Sequence, residues 1–301
     1  MSASSLPLRL ARIAVVGAGL AGMCAVALPQ QIEPLKTPVA TAVLRVCADP
    51  SNLPQSNSQG EGYENKIAEA LARDLGRKVE YTYFPQRTGF VRNTLRARDE
   101  TTLQFKCDVI IGVPAGYELT ATTRPYMHST YAMVVSPRGG LASLKSADDL
   151  LRLPEQQLQS VRIGLFARTP AADWVLQNGL IDHAVFYPPQ SGDPKETAMT
   201  IVERDLMERK IDIAILWGPI AGFLVNHHAG EERWAALPFS PDAKIRFDYE
   251  IAMGVRNGEA QWRDTLDAWI SGHREEITQI LITYHVPLLP ISAPPAGCCQ
   301  R

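Results

Sequence analysis

The chain has 301 residues, 46% of them hydrophobic, which is enough for a substantial core and for one large or two small domains. Its formal net charge of −2 and charged content of 21% exclude wholesale disorder. They also leave no basic excess for nucleic acid or for an anionic membrane surface.

In chain order, Arg9 and Arg12 precede an uncharged apolar run from Ile13 to Leu28. A basic start followed by a short apolar stretch is the pattern of an export signal. A membrane-spanning helix needs roughly 20 apolar residues, so the run is short for one. Residues 1–28 are read as a signal peptide or N-terminal anchor, and the mature chain as periplasmic. The same stretch carries Gly17, Gly19 and Gly22 in the spacing of a dinucleotide fingerprint. That motif needs a helix behind it and an acidic residue about 20 positions on. Pro29, Pro34 and Pro38 interrupt any such helix, and no Asp or Glu lies between Leu35 and Val43. A flavin or nicotinamide oxidoreductase is therefore the weaker reading.

Past a Pro-rich spacer, Val43–Ala48 reads as a strand and Tyr63–Leu75 as a helix with Ile67, Ala68, Leu71 and Leu75 on one face. Lys78–Phe84 alternates like a strand. Arg87–Ala97 reads as a second helix, and Asp108–Val113 as a strand buried on both faces. This β-α-β-α-β order implies a parallel sheet with right-handed crossovers. A second α/β unit follows, with strands at Tyr131–Ser136, Val161–Phe166, Ala184–Tyr187 and Ile211–Trp217. Helices are expected at Ser146–Leu150, Ala171–Asn178, Thr197–Arg209 and from Gly218 to His228. A strand over Tyr249–Val255 leads into one long amphipathic helix over Ala260–Tyr284. The pattern predicts an α/β clamshell of two lobes, each a mostly parallel sheet flanked by helices. Lobe 1 takes 43–125 and 248–290, lobe 2 takes 126–247, and 291–301 is a flexible tail. The hinge is expected near Thr123–Tyr131 and Ile245–Ala252.

In such sheets ligands bind beyond the carboxyl ends of the strands. Those ends are predicted to converge at one cleft. They nominate Asp49, Asn52, Arg87, Gly116, Tyr117, Thr169 and Trp217 as ligand- or partner-binding residues. Arg92 shares the segment of Arg87 and has the same two readings, structural or binding. No HExxH, paired Cys/His spacing, nucleophile elbow or P-loop occurs, so no catalytic group, cofactor or metal is assigned. His227-His228 is read as a solvated helix end, and Trp262 and Trp269 as core. Cys47 ends the first strand and Cys107 begins the third, which separates them by more than roughly 12 Å at about 3.3 Å per residue. No bond between them is expected. Cys298 and Cys299 cannot be placed.

Several segments carry a resemblance. They are Val46-Cys47-Ala48-Asp49-Pro50, Gly60-Glu61-Gly62-Tyr63-Glu64-Asn65-Lys66-Ile67-Ala68, Gln86-Arg87-Thr88-Gly89-Phe90, Cys107-Asp108-Val109-Ile110-Ile111-Gly112, Thr123-Arg124-Pro125-Tyr126 and Trp217-Gly218-Pro219. Over about Val43 to Leu289 the chain resembles the quinoprotein-dehydrogenase-associated periplasmic binding proteins of the MoxJ/XoxJ type. The resemblance implies the type II periplasmic binding-protein fold. It also implies a non-enzymatic accessory role with a PQQ-dependent methanol or alcohol dehydrogenase, or its cytochrome, as periplasmic partner. The connection Arg98–Lys106 is longer than is usual in the family, and Phe166–Ala171 replaces a longer loop. The alternative is a solute receptor of an ABC transporter. Against an amino-acid ligand, the positions expected to bind carboxylate and ammonium fall on Gly116 and Trp217, and an unpaired buried zwitterion costs several kcal/mol.

Overall fold

The computed structural model describes residues 43–188, 197–229 and 233–291. The export-signal segment, its glycine motif and Cys298-Cys299 lie outside the described residues.

The first half runs β1 (Val43–Ala48), the short hairpin β2 (Ser51–Asn52) and β3 (Ser56–Asn57), α1 (Tyr63–Asp74), β4 (Lys78–Tyr83), α2 (Phe90–Asn93) and β5 (Val109–Pro114). A long strand, β6 (Ala121–Val135), leads to α3 (Ala147–Leu150), α4 (Glu155–Leu158), β7 (Ile163–Phe166), α5 (Pro170–Gln177) and β8 (Ala184–Tyr187). Then come α6 (Ala198–Met207), β9 (Ile213–Trp217), α7 (Gly218–His227), β10 (Ala235–Pro238), β11 (Asp248–Val255), α8 (Ala260–Gly272) and α9 (Arg274–Thr283).

The strands hydrogen-bond in the order β4-β1-β5-β11-β6-β9-β7-β8, with β10 on β6. The β4-β1-β5 and β9-β7-β8 groups are parallel, as βαβ crossovers require. β6 and β11 are antiparallel to their neighbours and lie between those groups. The ladder is thus continuous through the two crossing strands. The sequence pattern predicts a strand only from Tyr131, the last part of β6.

The apolar packing is nevertheless divided. Leu44, Val46, Ile67, Leu71, Val109, Ile111, Met253 and Leu266 form one core, on α1, α8 and α9. Beyond the crossing strands, period-two alternation splits β6 between two further cores. Met133 and Val135 pack with Trp174 and Phe247, while Ala132 and Val134 pack with Val202 and Leu224. No described helix is long and apolar enough to cross a membrane.

Three local expectations are corrected. The predicted helix over Arg87–Ala97 keeps only α2, because Gly89 enters it at φ 92° and Thr94 turns out of it. The predicted long C-terminal helix breaks at His273, directly after Gly272, into α8 and α9. Cys47 and Cys107 are bonded, with Cα atoms 5.4 Å apart. Cys107 precedes β5 rather than extending it. The segment before β5 crosses the sheet face on which Cys47 packs with Phe90, Leu95 and Ile110.

Candidate ligand and partner cleft

At the tip of β1, Asp49 accepts hydrogen bonds from the Ser51 amide at 2.8 Å and the Gln86 amide at 2.5 Å. Asn52 donates to the Gln86 side-chain oxygen at 3.1 Å, and Gln86 donates onward to the Gly112 carbonyl at 3.4 Å. Asp49 and Asn52 thereby join the tips of β1, β4 and β5. The free amides at the start of α1 are satisfied by the same loop: Tyr63 donates to Pro54 and Glu64 to Gln55, each at 2.9 Å. The loop approaches so closely that a Cβ at Gly62 would overlap the Gln55 backbone.

Beneath this loop lies a polar interior. Glu64 is buried, and burial, followed by the charge of Asp49, pushes its carboxyl up to about 8. Gln55 Oε1 and the Tyr126 hydroxyl are buried there without partners, beside Asn65 and the Tyr81 hydroxyl. Pairing alone would not have revealed Glu64 from sequence, since it occupies an ordinary first-turn helix position.

At the tip of β9, Trp217 meets Tyr131 of β6 and Tyr249 of β11 edge to face, with centroids 5.7 and 5.9 Å apart. Phe247 and Arg246 extend the group, the guanidinium lying 4.8 Å from the Tyr249 ring centroid. Burial, with the nearby Tyr249, raises the Tyr131 hydroxyl to about 12, so it stays neutral. Tyr131 and Tyr249 were missed because their significance depends on β6, β9 and β11 being adjacent.

Arg87 and Tyr117 line one concavity of about 620 Å³, together with Arg92 and Arg96. Gly116 stands at its edge in the left-handed region (φ 77°) and donates its amide to Thr122 Oγ1 at 3.1 Å. Thr169 precedes α5 and donates to the Phe166 carbonyl at 2.7 Å, holding the strand-to-helix turn. Of the seven nominated residues, Arg87 and Tyr117 share this concavity. Among the described residues, no hydrogen bond or ring contact joins Thr169 or Trp217 to the other five. A smaller gap of about 210 Å³ separates Pro50, Ser51 and Leu53 from Met199 and Thr200 of α6.

Three histidines pair with carboxylates. His228 is not a solvated helix end: its Nε2 lies 2.5 Å from Glu203 and its ring stacks near Trp234 at 4.4 Å. His128 bridges Asp248 at 2.8 Å and the Pro290 carbonyl at 2.6 Å. Asp74, His273 and Glu276 are close enough to hold a metal. Their atoms are already occupied by the His273–Asp74 pair at 2.9 Å, by Trp269 on Asp74 and by Arg73 on Glu276. Trp262 and Trp269 pack against the first core.

No protein-family model matches the chain. It is 27% identical over 289 residues to the protein MoxJ of Paracoccus denitrificans, covering 92% of this chain and 98% of that one. Its structure matches the crystal structure of the periplasmic binding protein XoxJ from Methylobacterium extorquens AM1 with a TM-score of 0.64 and 34% identity, over 82% of this chain and 99% of that one. An ancestral cationic amino-acid solute-binding protein matches at a TM-score of 0.59 and 17% identity, over 81% and 96% of the two chains. That last likeness shows the fold alone. The two-lobed α/β fold expected from the sequence is the type II periplasmic binding-protein fold shared by these structures.

Proposed function

The chain belongs to the MoxJ/XoxJ family of periplasmic binding proteins, and from that membership we propose that it is a non-enzymatic periplasmic accessory of a PQQ-dependent methanol or alcohol dehydrogenase. Its task on this reading is maturation or activation of the dehydrogenase, with the dehydrogenase or its cytochrome as the protein bound. Lobe 1 (43–125 and 248–290) and lobe 2 (126–247) close on that partner about β6 and β11. The candidate contact residues are Asp49, Asn52, Arg87, Gly116, Tyr117, Thr169 and Trp217.

The observation that carries this reading is the aromatic group of Trp217, Tyr131 and Tyr249 where the crossing strands meet β9. A receptor for a free amino acid must pair both charges of a zwitterion in a desolvated cleft. Gly116 offers a backbone amide already spent on Thr122, and Trp217 offers a neutral ring. An aromatic wall suits a protein segment, because aromatic side chains supply large contact area at low entropic cost.

The test is co-purification of the tagged, exported chain with a quinoprotein dehydrogenase from the same periplasm, alongside calorimetry against the common amino acids. Recovery of the dehydrogenase with no amino-acid heat is expected. Micromolar amino-acid binding without the dehydrogenase would instead establish a transport receptor.

A further inference from the structure

We propose that the concavity between α2 and the loop following β5 is a binding site for a planar aromatic polycarboxylate. Its volume of about 620 Å³ falls within the usual range for small-molecule sites, about 300–1,000 Å³. Arg87, Arg92 and Arg96 all line it. Several arginines elsewhere are neutralised: Arg45 and Arg256 share Asp108, Arg73 pairs with Glu276, and Arg124 with Asp267. Among the described residues neither Arg87 nor Arg92 has a carboxylate partner. Arg87 approaches only the Phe84 ring, at 6.0 Å. Arg96 is held by the Leu119 carbonyl at 2.6 Å, which fixes its position without cancelling its charge. Glu118 falls between two lining residues but is not itself part of the lining. Three uncancelled cations thus gather on a chain whose net charge is −2.

Guanidinium groups present a planar fork that matches carboxylates and also stacks on flat π systems. Beside the polar Gln86 and Thr88, much of the remaining wall is apolar, with Phe90, Val91, Val113, Tyr117 and Leu119. An aliphatic polycarboxylate would satisfy the arginines and leave that wall uncovered. A planar aromatic one satisfies both. The floor is pre-set, because Phe90, Val91 and Val113 belong to the core cluster of the Cys47–Cys107 bond, with Tyr117 packed against it.

Binding of trimesate, an aromatic tricarboxylate, is compared with binding of citrate and of a glutamate-rich peptide, by calorimetry on the mature chain. Trimesate is expected to bind at least tenfold more tightly than either, since charge-assisted contacts and ring burial act together. Arg92→Ala is expected to weaken it by about tenfold or more at an unchanged melting temperature. Arg87→Ala, at an exposed position, gives the same reading should Arg92→Ala fail to fold. Equal affinity for trimesate and citrate, tighter binding of the peptide, no binding at all, or indifference to both arginine variants would overturn the site. Co-purification of the dehydrogenase without trimesate binding would sink this proposal and leave the partnership standing. Trimesate binding without the dehydrogenase would do the reverse.

Discussion

The Glu64 carboxyl lies against Gly112 so closely that a Cβ at position 112 would overlap its Oε1. Gly112 sits within β5, and Glu64 in the first turn of α1. The absence of a side chain on the strand makes room for the acid on the helix. Gly112→Ala should therefore displace a buried carboxyl and cost about 1–3 kcal/mol, the usual range for overpacking. Chemical denaturation of the purified variant, with the midpoint compared to that of the parent, measures this.

The same carboxyl makes stability depend on pH. Its folded value is about 8, and the unfolded chain's is about 4.3. Below about pH 4 both states hold the proton and the contribution is complete. As pH rises, the unfolded chain ionises first, so stability falls until the folded carboxyl also ionises near 8. The drop over that window reaches at most about 5 kcal/mol. Glu64→Gln stays neutral throughout and should flatten this part of the profile. Denaturation midpoints measured from about pH 5 to 8 for both proteins test the sign: the parent alone should weaken.

Cys47 and Cys107 close a loop with a sequence separation of 60. Chain entropy assigns such a loop about 4 kcal/mol of stabilisation. The double variant Cys47→Ala/Cys107→Ala should lose a comparable amount. Both residues are fully buried, so mild reductant should leave this bond intact in the folded parent. Mass spectrometry after thiol labelling, with and without denaturant, separates the two states.

Arg256 organises the opposite end of the same strands. It donates to the Leu95 carbonyl at 3.1 Å and to the Cys107 carbonyl, and pairs with Asp108 at 2.9 Å and Glu259 at 2.7 Å. Asp108 also accepts two bonds from Arg45, each at 2.8 Å. Phe105 lies between Arg98 and Arg256, 4.0 and 4.1 Å from the two guanidiniums. The long connection before β5 is held here. Arg256→Met should cost about 1–3 kcal/mol, because it leaves the Leu95 and Cys107 carbonyls without their donor while Asp108 keeps Arg45. Thermal unfolding measures the loss.

The regular strands and helices were legible where local chemistry was consistent. β5 and β9 are continuous apolar runs, and α1 ends at a left-handed Gly76. The first half of β6 was not legible, because Thr122, Thr123, Arg124, Pro125 and His128 carry no alternation and owe their extension to pairing with β11. The cysteine bond failed for a related reason: spacing along a strand says nothing about a segment that folds over its face. At the site, single residues such as Arg87, Tyr117 and Trp217 could be nominated from strand ends. Their grouping into an arginine-lined concavity and an aromatic wall depends on contacts between distant segments, which no local pattern encodes.

Gly222 and Gly272 give the same substitution opposite signs. Gly218 and Gly222 lie four residues apart on α7, and the chain leaving α9 runs against them. That chain is fixed by Ser129 donating to the Pro287 carbonyl at 2.6 Å and by the Leu289 amide donating to His128 at 2.8 Å. A Cβ at Gly222 would overlap the His285 carbonyl, a backbone atom that cannot rotate aside. Alanine gains about 1 kcal/mol in helix propensity over glycine, but a backbone overlap outweighs that, so Gly222→Ala should lose about 1–3 kcal/mol. Gly272, at the end of α8, has nothing within 4 Å of its would-be Cβ. Gly272→Ala keeps the propensity gain and should stabilise by about 0.5–1 kcal/mol. Melting temperatures of the two variants should move in opposite directions. A stabilised Gly222→Ala would mean that the segment after α9 does not pack on α7.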